Sequence, residues 1–349
     1  MRILAIETSC DETAICLLEA QKTPSGVDFD VIANITHTQL EHIEFGGVFP
    51  AVAKREHQIN LPLILDQIMK DQEKPDVICV TNGPGLEPAL WCGIVFAKEL
   101  GEKWNIPVIP VNHMEGHILS VLVPSIADNK KFTFENNIQF PALALLISGG
   151  HTELVLVKDI GDYEIIGKTR DDAVGEAFDK VARMMSLPYP GGPQISKLAD
   201  QFSGEKKLEL PRPMLHTKDY DFSFSGLKTA VLYHIQSLGE TISDQDKQEI
   251  AHEFQNTATE VLVKKTSRAI EEFGVETLII GGGVAANKHI INSFQEKLNS
   301  DFPATNLLAP ARELTGDNAL MIALVGFFKI NKSPDAVYSN IKAIGNLSL

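Results

Sequence analysis

The sequence predicts an α/β fold built from two copies of one unit, and two observations carry that expectation. The first is a repeated run of strands. "RILAIET" and "TAICLLEA" read as a hairpin around the polar turn Ser9–Glu12, and "ALALLIS" and "TELVLVKD" repeat the plan around Gly149–His151. Each hairpin is followed by a third strand-like stretch, "DVIANIT" and then "YEIIGKT", and by a helix. Copies of a strand-strand-strand-helix unit therefore start near Arg2 and Pro141. The second observation is a set of wholly apolar strands, "DVICVTN", "PVIPVN" and "TLIIGGG", each leading into a helix. Such runs are buried parallel strands of an α/β protein.

The remaining elements follow in order. The polar spacer Asp128–Gln139 suits a boundary between lobes, giving residues 1–136 as the first and 137–349 as the second. Residues 187–221 are rich in Pro, Gly and charge and read as an irregular insertion in the second lobe. From Ser243 to Gly274 an amphipathic helix is expected, with Ile250, Phe254, Val261, Leu262, Ile270 and Phe273 on one face, Ser243 as N-cap and Gly274 as stop. The apolar final helix is expected to pack back on the first lobe. Two such lobes leave a cleft, where ligands usually bind.

Composition narrows the function classes. The chain has 349 residues, 44% apolar and 22% charged, ordinary for a folded soluble protein. Glu7 interrupts the first apolar run too early for a signal peptide. "ALMIALVGFF" (Ala319–Phe328) is about half the length a membrane span needs. The cysteines, Cys10, Cys16, Cys79 and Cys92, form no CxxC pair, so reduced, mostly buried thiols in the cytoplasm are the simplest reading. A net charge of −15 works against broad binding to nucleic acid or anionic membrane. A local basic strip is still allowed. Arg212, His216, Lys218 and Lys228 are close in sequence, and Lys264, Lys265 and Arg268 share a helical stretch, with a solvated surface as the simplest reading of both groups.

Glycine-rich turns fall at strand ends: "NGPG" (Asn82–Gly85), "SGG" (Ser148–Gly150) and "GGGVAAN" (Gly281–Asn287), with "YPGGP" (Tyr189–Pro193) as a further turn. Each alone is commonly just a turn, but together in an α/β chain they favour a nucleotide cleft. None is a Walker A or dinucleotide motif. In "VNHMEGHIL", His113 and His117 lie four apart at a helix start, a spacing that permits a shared metal and equally an ordinary pair. Asp317 in "TGDNALMIA" can complete a His-His-Asp set or simply cap its helix. Glu7, in an apolar strand, is paired or functional. Asp11 and Glu12 sit in the first hairpin turn, where turn chemistry and a catalytic role are both open. Asp179, in "GEAFDKVA", has a solvated helix position as its default.

"IETSCDET", "NGPG", "NHMEGH", "LLISGGHTEL", "GEAFDKVARMM", "YPGGP", "DFSFSGLKTA", "GGGVAAN" and "TGDNALMIA" occur in one order. In that order the chain resembles the tRNA threonylcarbamoyladenosine transferases (TsaD, formerly glycoprotease) from Met1 to about Phe328. The resemblance implies a fold of two duplicated RNase H-like lobes, that of the actin-like ATPases and sugar kinases. It implies transfer of a threonylcarbamoyl group from threonylcarbamoyl-adenylate to the exocyclic amine of the adenosine next to the anticodon, in tRNAs reading codons that start with A, with release of AMP. It also implies His113, His117 and Asp317 as ligands of one divalent metal, iron favoured and zinc the alternative. Leu146, Ile147, Ser148, Gly149, Gly150, Asp179, Gly192 and Asn287 would line the adenylate site, and Asp11 and Glu12 would be catalytic. A TsaB-like paralogue and a TsaE-like ATPase are the implied partners, with a TsaC-like enzyme supplying the adenylate.

The chain departs from the family's pattern in four places. Glu87 and Pro88 stand where bacterial relatives tend to carry small residues, and Asn112 stands where many have a histidine. "GDNAL" is slightly closer to the archaeal and eukaryotic form. The tail from Ser333 to Leu349 lacks an arginine-rich ending. Two other classes stand as alternatives, a kinase or ATPase of the same superfamily and a non-catalytic TsaB-like scaffold. Because the chain is acidic, a tRNA contact needs a confined basic path, and Arg212, Lys218 and Lys228 are expected to contribute to it.

Overall fold

The computed structural model describes residues 1–24, 26–126, 130–134, 137–239, 241–333 and 340–349. Parts of the expected spacer, including the expected lobe boundary at residue 136, and of the tail after Ser333 lie outside the described residues. In chain order the elements are β1 (Arg2–Glu7), β2 (Glu12–Thr23), β3 (Gly26–Thr38), α1 (Pro50–Met69), β4 (Val77–Gly83), α2 (Glu87–Trp104), β5 (Val108–Asn112), α3 (His113–Leu119) and β6 (Lys131–Phe134). They continue with β7 (Ala142–Ile147), β8 (Thr152–Asp159), β9 (Asp162–Lys168), α4 (Val174–Met184), α5 (Gly191–Ala199), α6 (Ser225–Leu238) and α7 (Asp244–Phe273). The last are β10 (Thr277–Gly281), α8 (Lys288–Asp301), β11 (Asn306–Leu308) and α9 (Ala319–Lys332).

The chain divides into two compact units, Met1–Asn137 with Pro310–Leu349, and Ile138–Ala309. In the first, the sheet order is β5-β4-β1-β2-β3-β6, and in the second β11-β10-β7-β8-β9. β1 pairs antiparallel with β2 and parallel with β4, and β7 likewise pairs antiparallel with β8 and parallel with β10. An antiparallel meander extended by parallel strands thus occurs twice, as the repeated hairpin predicts. The fold class is α/β with a duplicated unit.

Local chemistry explains the element limits. Ser243 and Asp246 close a capping box at the start of α7, and Gly274 ends it in a left-handed conformation. At α9 the N-cap is Asn318, whose side chain accepts from Met321 N–H, rather than Asp317. That shift of one residue leaves the Asp317 carboxylate for other work. α9 then buries Ala319 through Phe327 against β1, β2 and α3 of its own unit. Among the described residues no helix is long and apolar enough to cross a membrane.

Two sequence expectations need correction. Residues 187–221 are not wholly irregular, because α5 forms within them. Its first turn holds Pro193, where a missing N–H costs nothing, so "YPGGP" is a helix start as well as a turn. The basic residues of the second unit are also not simply a solvated surface. Lys265 is 0% exposed and donates to Thr217 Oγ1 at 2.9 Å and the Asp219 carbonyl at 3.1 Å. Arg268 lies over the Tyr220 ring at 4.5 Å. Lys228 Nζ is 2.7 Å from Asp172, and Arg212 pairs with Glu253 and Glu260, each at 2.8 Å. Of the three residues expected on a basic path, only Lys218 is classed as exposed.

Glu253 is the buried partner in this network, at 0% exposure. It accepts from Leu210 N–H at 3.1 Å and faces Arg212 at 2.8 Å and Lys206 at 2.7 Å. Burial alone would raise its pKa, but Lys206, the Leu210 N–H and Arg212 outweigh it and hold it below the ordinary glutamate value. A depressed folded pKa gives stability that is present above the unfolded pKa and lost as pH falls through the folded one. Glu253→Gln is expected to cost about 2–3 kcal/mol near neutral pH, less than for a fully buried pair because Lys206 and Arg212 reach solvent. The deficit should shrink as pH falls below about 4.3. Thermal melts of both proteins from pH 7 to pH 3 check this, and a deficit independent of pH would contradict it.

Candidate functional site

In the first unit, β5 ends at Asn112, whose side-chain oxygen accepts from the N–H groups of Met114 (2.8 Å) and Glu115 (3.4 Å). This cap starts α3 and sets His113 and His117 one turn apart, with ring centroids 4.7 Å apart and planes at 84°. Asp317, just ahead of the α9 cap, brings Oδ1 within 3.4 Å of His113 Nε2 and 3.2 Å of His117 Nε2. One ligand atom from each residue lies within 4.8 Å of the others.

The structure adds a residue whose role the sequence left open. Glu7 is 0% exposed at the end of β1, and its Oε2 is 3.0 Å from His113 Nδ1. Thr81 Oγ1 and Ser9 N–H also donate to this carboxylate. A carboxylate on Nδ1 fixes the tautomer that carries its proton there, so the Nε2 lone pair points at Asp317. Two acceptors then face each other across 3.4 Å, and a positive species is required between them. At His117, 1% exposed, Nδ1 is buried without a hydrogen-bond partner and Nε2 faces Asp317 Oδ1 at 3.2 Å. Two imidazole Nε2 atoms converging on one buried carboxylate oxygen form a donor set that a cation between them would satisfy. The residues present therefore fit a divalent metal.

Electrostatics agree with the geometry. Burial alone would lower the His113 pKa, but Asp317 and Glu7 raise it well above the ordinary imidazole value. Burial would raise Asp317, but His113 and His117 hold it well below the usual carboxylate range. These shifts favour a protonated His113 between carboxylates, and a bound metal would take that proton's place. Beside it, Ser9 Oγ lies 3.2 Å from His113 Nδ1 and 3.4 Å from Asp317 Oδ2. Burial and the Asp317 and Asp11 carboxylates push the Glu12 carboxyl well above its ordinary value. The Asp11 carbonyl accepts from Gln39 N–H at 3.0 Å, and the Cys10 carbonyl from His57 Nε2 at 3.0 Å, so the acidic turn is held from two sides.

The second unit gathers the other expected residues. Gly282, at φ 91°, ends β10 so close to β7 that a Cβ would lie 2.4 Å from the Ile147 carbonyl. Gly175 N–H donates to the Ser148 carbonyl at 3.2 Å, bringing the start of α4 to the same strand end. Asp179 Oδ1 accepts from Gly191 N–H at 2.7 Å, which ties α4 to α5. Asn287 caps α8 with its oxygen, and its amide donates to Ser196 and Gln255, both at 3.0 Å. Leu146 and Ile147 are fully buried, so only their main chain can face a ligand. At Gly149, Gly150 and Gly192 an added Cβ would meet nothing within 4 Å, which leaves that backbone open to approach.

The first unit thus holds a His-His-Asp cluster with a carboxylate-oriented histidine, the second a glycine-lined strand end, and comparison with known proteins gives the family. The TsaD family model, tRNA N6-adenosine threonylcarbamoyltransferase, matches residues 30–324. The chain belongs to this family. A relative from Thermosipho africanus of that name is 41% identical, covering 100% of both chains. One from Bacillus licheniformis is 44% identical over 95% of this chain and 92% of its own, and one from Bacillus subtilis 42% over 97% and 93%. The fold is shared with HypF in its phosphate- and nucleotide-bound form, at TM-score 0.62 and 14% identity. That likeness covers 95% of this chain but 47% of HypF, so the chain spans about half that protein's length.

Ser9, Thr81, Ser196 and Gln255 are hydrogen-bond partners of the candidate residues that sequence reasoning missed. Ser9 lies inside the first quoted motif and Thr81 just before the second, but nothing local marks their hydroxyls as partners of His113 and Glu7, 104 and 74 positions away. Gln255 is 2% exposed on α7, which also buries Glu253, Thr257 and Lys265, so its position alone does not single it out.

Proposed function

We propose that the chain transfers the threonylcarbamoyl group from threonylcarbamoyl-adenylate to N6 of the adenosine next to the anticodon, in tRNAs reading codons that start with A. The single observation carrying this reading is the His113–His117–Asp317 set, oriented by Glu7, in a member of this family. The carbon–oxygen bond from the carbamoyl carbon to the adenylate phosphate breaks, and AMP leaves with the electron pair. A bond from N6 to that carbon forms, and N6 loses a proton. His113, His117 and Asp317 hold a metal, which when bound supplies Lewis-acid polarisation of the carbonyl. Iron is favoured, with zinc as the alternative, since imidazole and carboxylate suit both.

The open backbone at Ser148, Gly149, Gly150 and Gly192 receives the adenylate, with Leu146 and Ile147 contributing main chain only. Asp179 and Asn287 hold that backbone in place through Gly191 and Ser196. Asp11 or Glu12 accepts the proton from the attacking amine. Glu12, with its raised pKa, holds and returns a proton closer to neutral pH than an exposed glutamate does. A TsaB-like paralogue and a TsaE-like ATPase act with the chain. The exposed pairs Ile59 and Leu63 on α1 and Trp91 and Val95 on α2 support a protein partner.

The test is incubation of the purified protein with threonylcarbamoyl-adenylate and unmodified tRNA, with and without partner proteins, scoring the nucleoside by mass. Modified adenosine is the expected product, and phosphate transfer without it would sink the reading. Glu7→Gln leaves the shape of the site but weakens its hold on Nδ1–H. It is expected to weaken metal binding about 10- to 100-fold. Competition with a chromogenic chelator measures this, and wild-type affinity would show that Glu7 is only a structural partner.

A further inference from the structure

We infer that residues 341–348 form a strap that positions the metal-bearing helix. The inference rests on the metal reading of His113 and His117, and its geometry lies wholly within the first unit. Residues 341–348 run across the ends of β4 and β5, and their main chain makes the contacts. Asn82 accepts from Ile344 N–H at 2.9 Å, and Gly85 N–H donates to the Gly345 carbonyl at 3.0 Å. Lys98 Nζ donates to the Ile341 carbonyl at 2.8 Å, while Ile341 itself is 4% exposed in the core. The strap touches the turn so closely that a Cβ on Gly83 would lie 2.1 Å from the Ile344 carbonyl. Only glycine permits that approach.

Two contacts reach the site. The Asn112 amide donates to the Ser348 carbonyl at 3.1 Å while its oxygen caps α3, so the strap fixes the rotamer of the cap that starts the metal helix. On the other side, Gly345 N–H donates to Glu87 Oε1 at 3.3 Å, and the Gly85 turn it holds packs on Ser9. Leu86 N–H donates to the Ser9 carbonyl at 2.8 Å, and Ser9 Oγ lies 3.2 Å from His113 Nδ1. The strap therefore bears on His113 by two routes, through its helix cap and through the serine beside its ring. Asn112 and Glu87 are positioning residues in this account.

The experiment uses the full chain with Glu87→Ala and Asn112→Ser combined. Serine still caps the helix but is too short to reach Ser348. Amide hydrogen exchange and zinc affinity, by chelator competition, are read beside the melting temperature. Expected are faster exchange at residues 82–86 and 113–117, unchanged exchange in α7, and zinc affinity weakened about tenfold. Glu87→Gln, which keeps an acceptor for Gly345 N–H, should behave as wild type. Unchanged exchange at 113–117, or Glu87→Gln failing as Glu87→Ala does, overturns the strap. If the double variant does not fold, the same readouts on Glu87→Ala alone decide. Exchange requires no metal, so a wild-type protein that binds no zinc counts against the metal reading and leaves the strap to be judged by exchange.

Discussion

His117→Ala is expected to abolish stoichiometric metal binding and to slow single-turnover transfer about a thousandfold. The magnitude follows from the several kcal/mol of charge stabilisation a metal supplies, at about 1.4 kcal/mol per tenfold in rate. Asp317→Asn should act almost as strongly, because it keeps the side-chain shape and removes the charge that faces both Nε2 atoms. His117 is buried at 1% exposure, so the alanine leaves a small cavity, and a melting curve must accompany the rate. Metal per chain by elemental analysis, with transfer measured on the same sample, checks the expectation. Wild-type transfer by a folded His117→Ala protein without metal would contradict it.

The second large effect belongs to the acidic turn. Asp11→Ala and Glu12→Ala are each expected to slow transfer by about 10²–10⁴, the range of a lost general base, while metal content stays at the wild-type level. The separation of the two readouts matters, since Glu12 lies close enough to Asp317 for each to influence the other's charge. An adenine amine is a weak base that loses its proton late, so the rate loss should appear in the chemical step and leave tRNA affinity unchanged. Single-turnover kinetics at saturating tRNA check this. Both variants transferring at the wild-type rate would remove Asp11 and Glu12 from the chemistry.

What was legible in the sequence was local or repeated. The two hairpins, the apolar parallel strands and the limits of α7 at Ser243 and Gly274 each rest on a pattern a few residues long. His113 and His117 were legible for the same reason, since helical spacing alone places them on one face. Asp317 was not, because its choice between cap and triad turns on Asn318 taking the cap. Glu7 showed only that it must be satisfied. Its partner His113 is 106 residues away, just after β5, with β4 lying between that strand and β1. Lys265 looked solvated because the carbonyl and hydroxyl that bury it come from the loop at 217–219. Glu87 and Asn112 read as two separate departures, and the fold joins them through Gly345 and Ser348. Contacts set by tertiary approach leave no periodic trace in the chain.

The most direct test of the central claim is a transfer assay on untagged protein with its metal content known before chelation, after chelation and after reconstitution. One metal per chain is expected, with loss of tRNA modification on its removal and recovery on returning iron or, less fully, zinc. A metal-free sample that modifies tRNA at the full rate would contradict it.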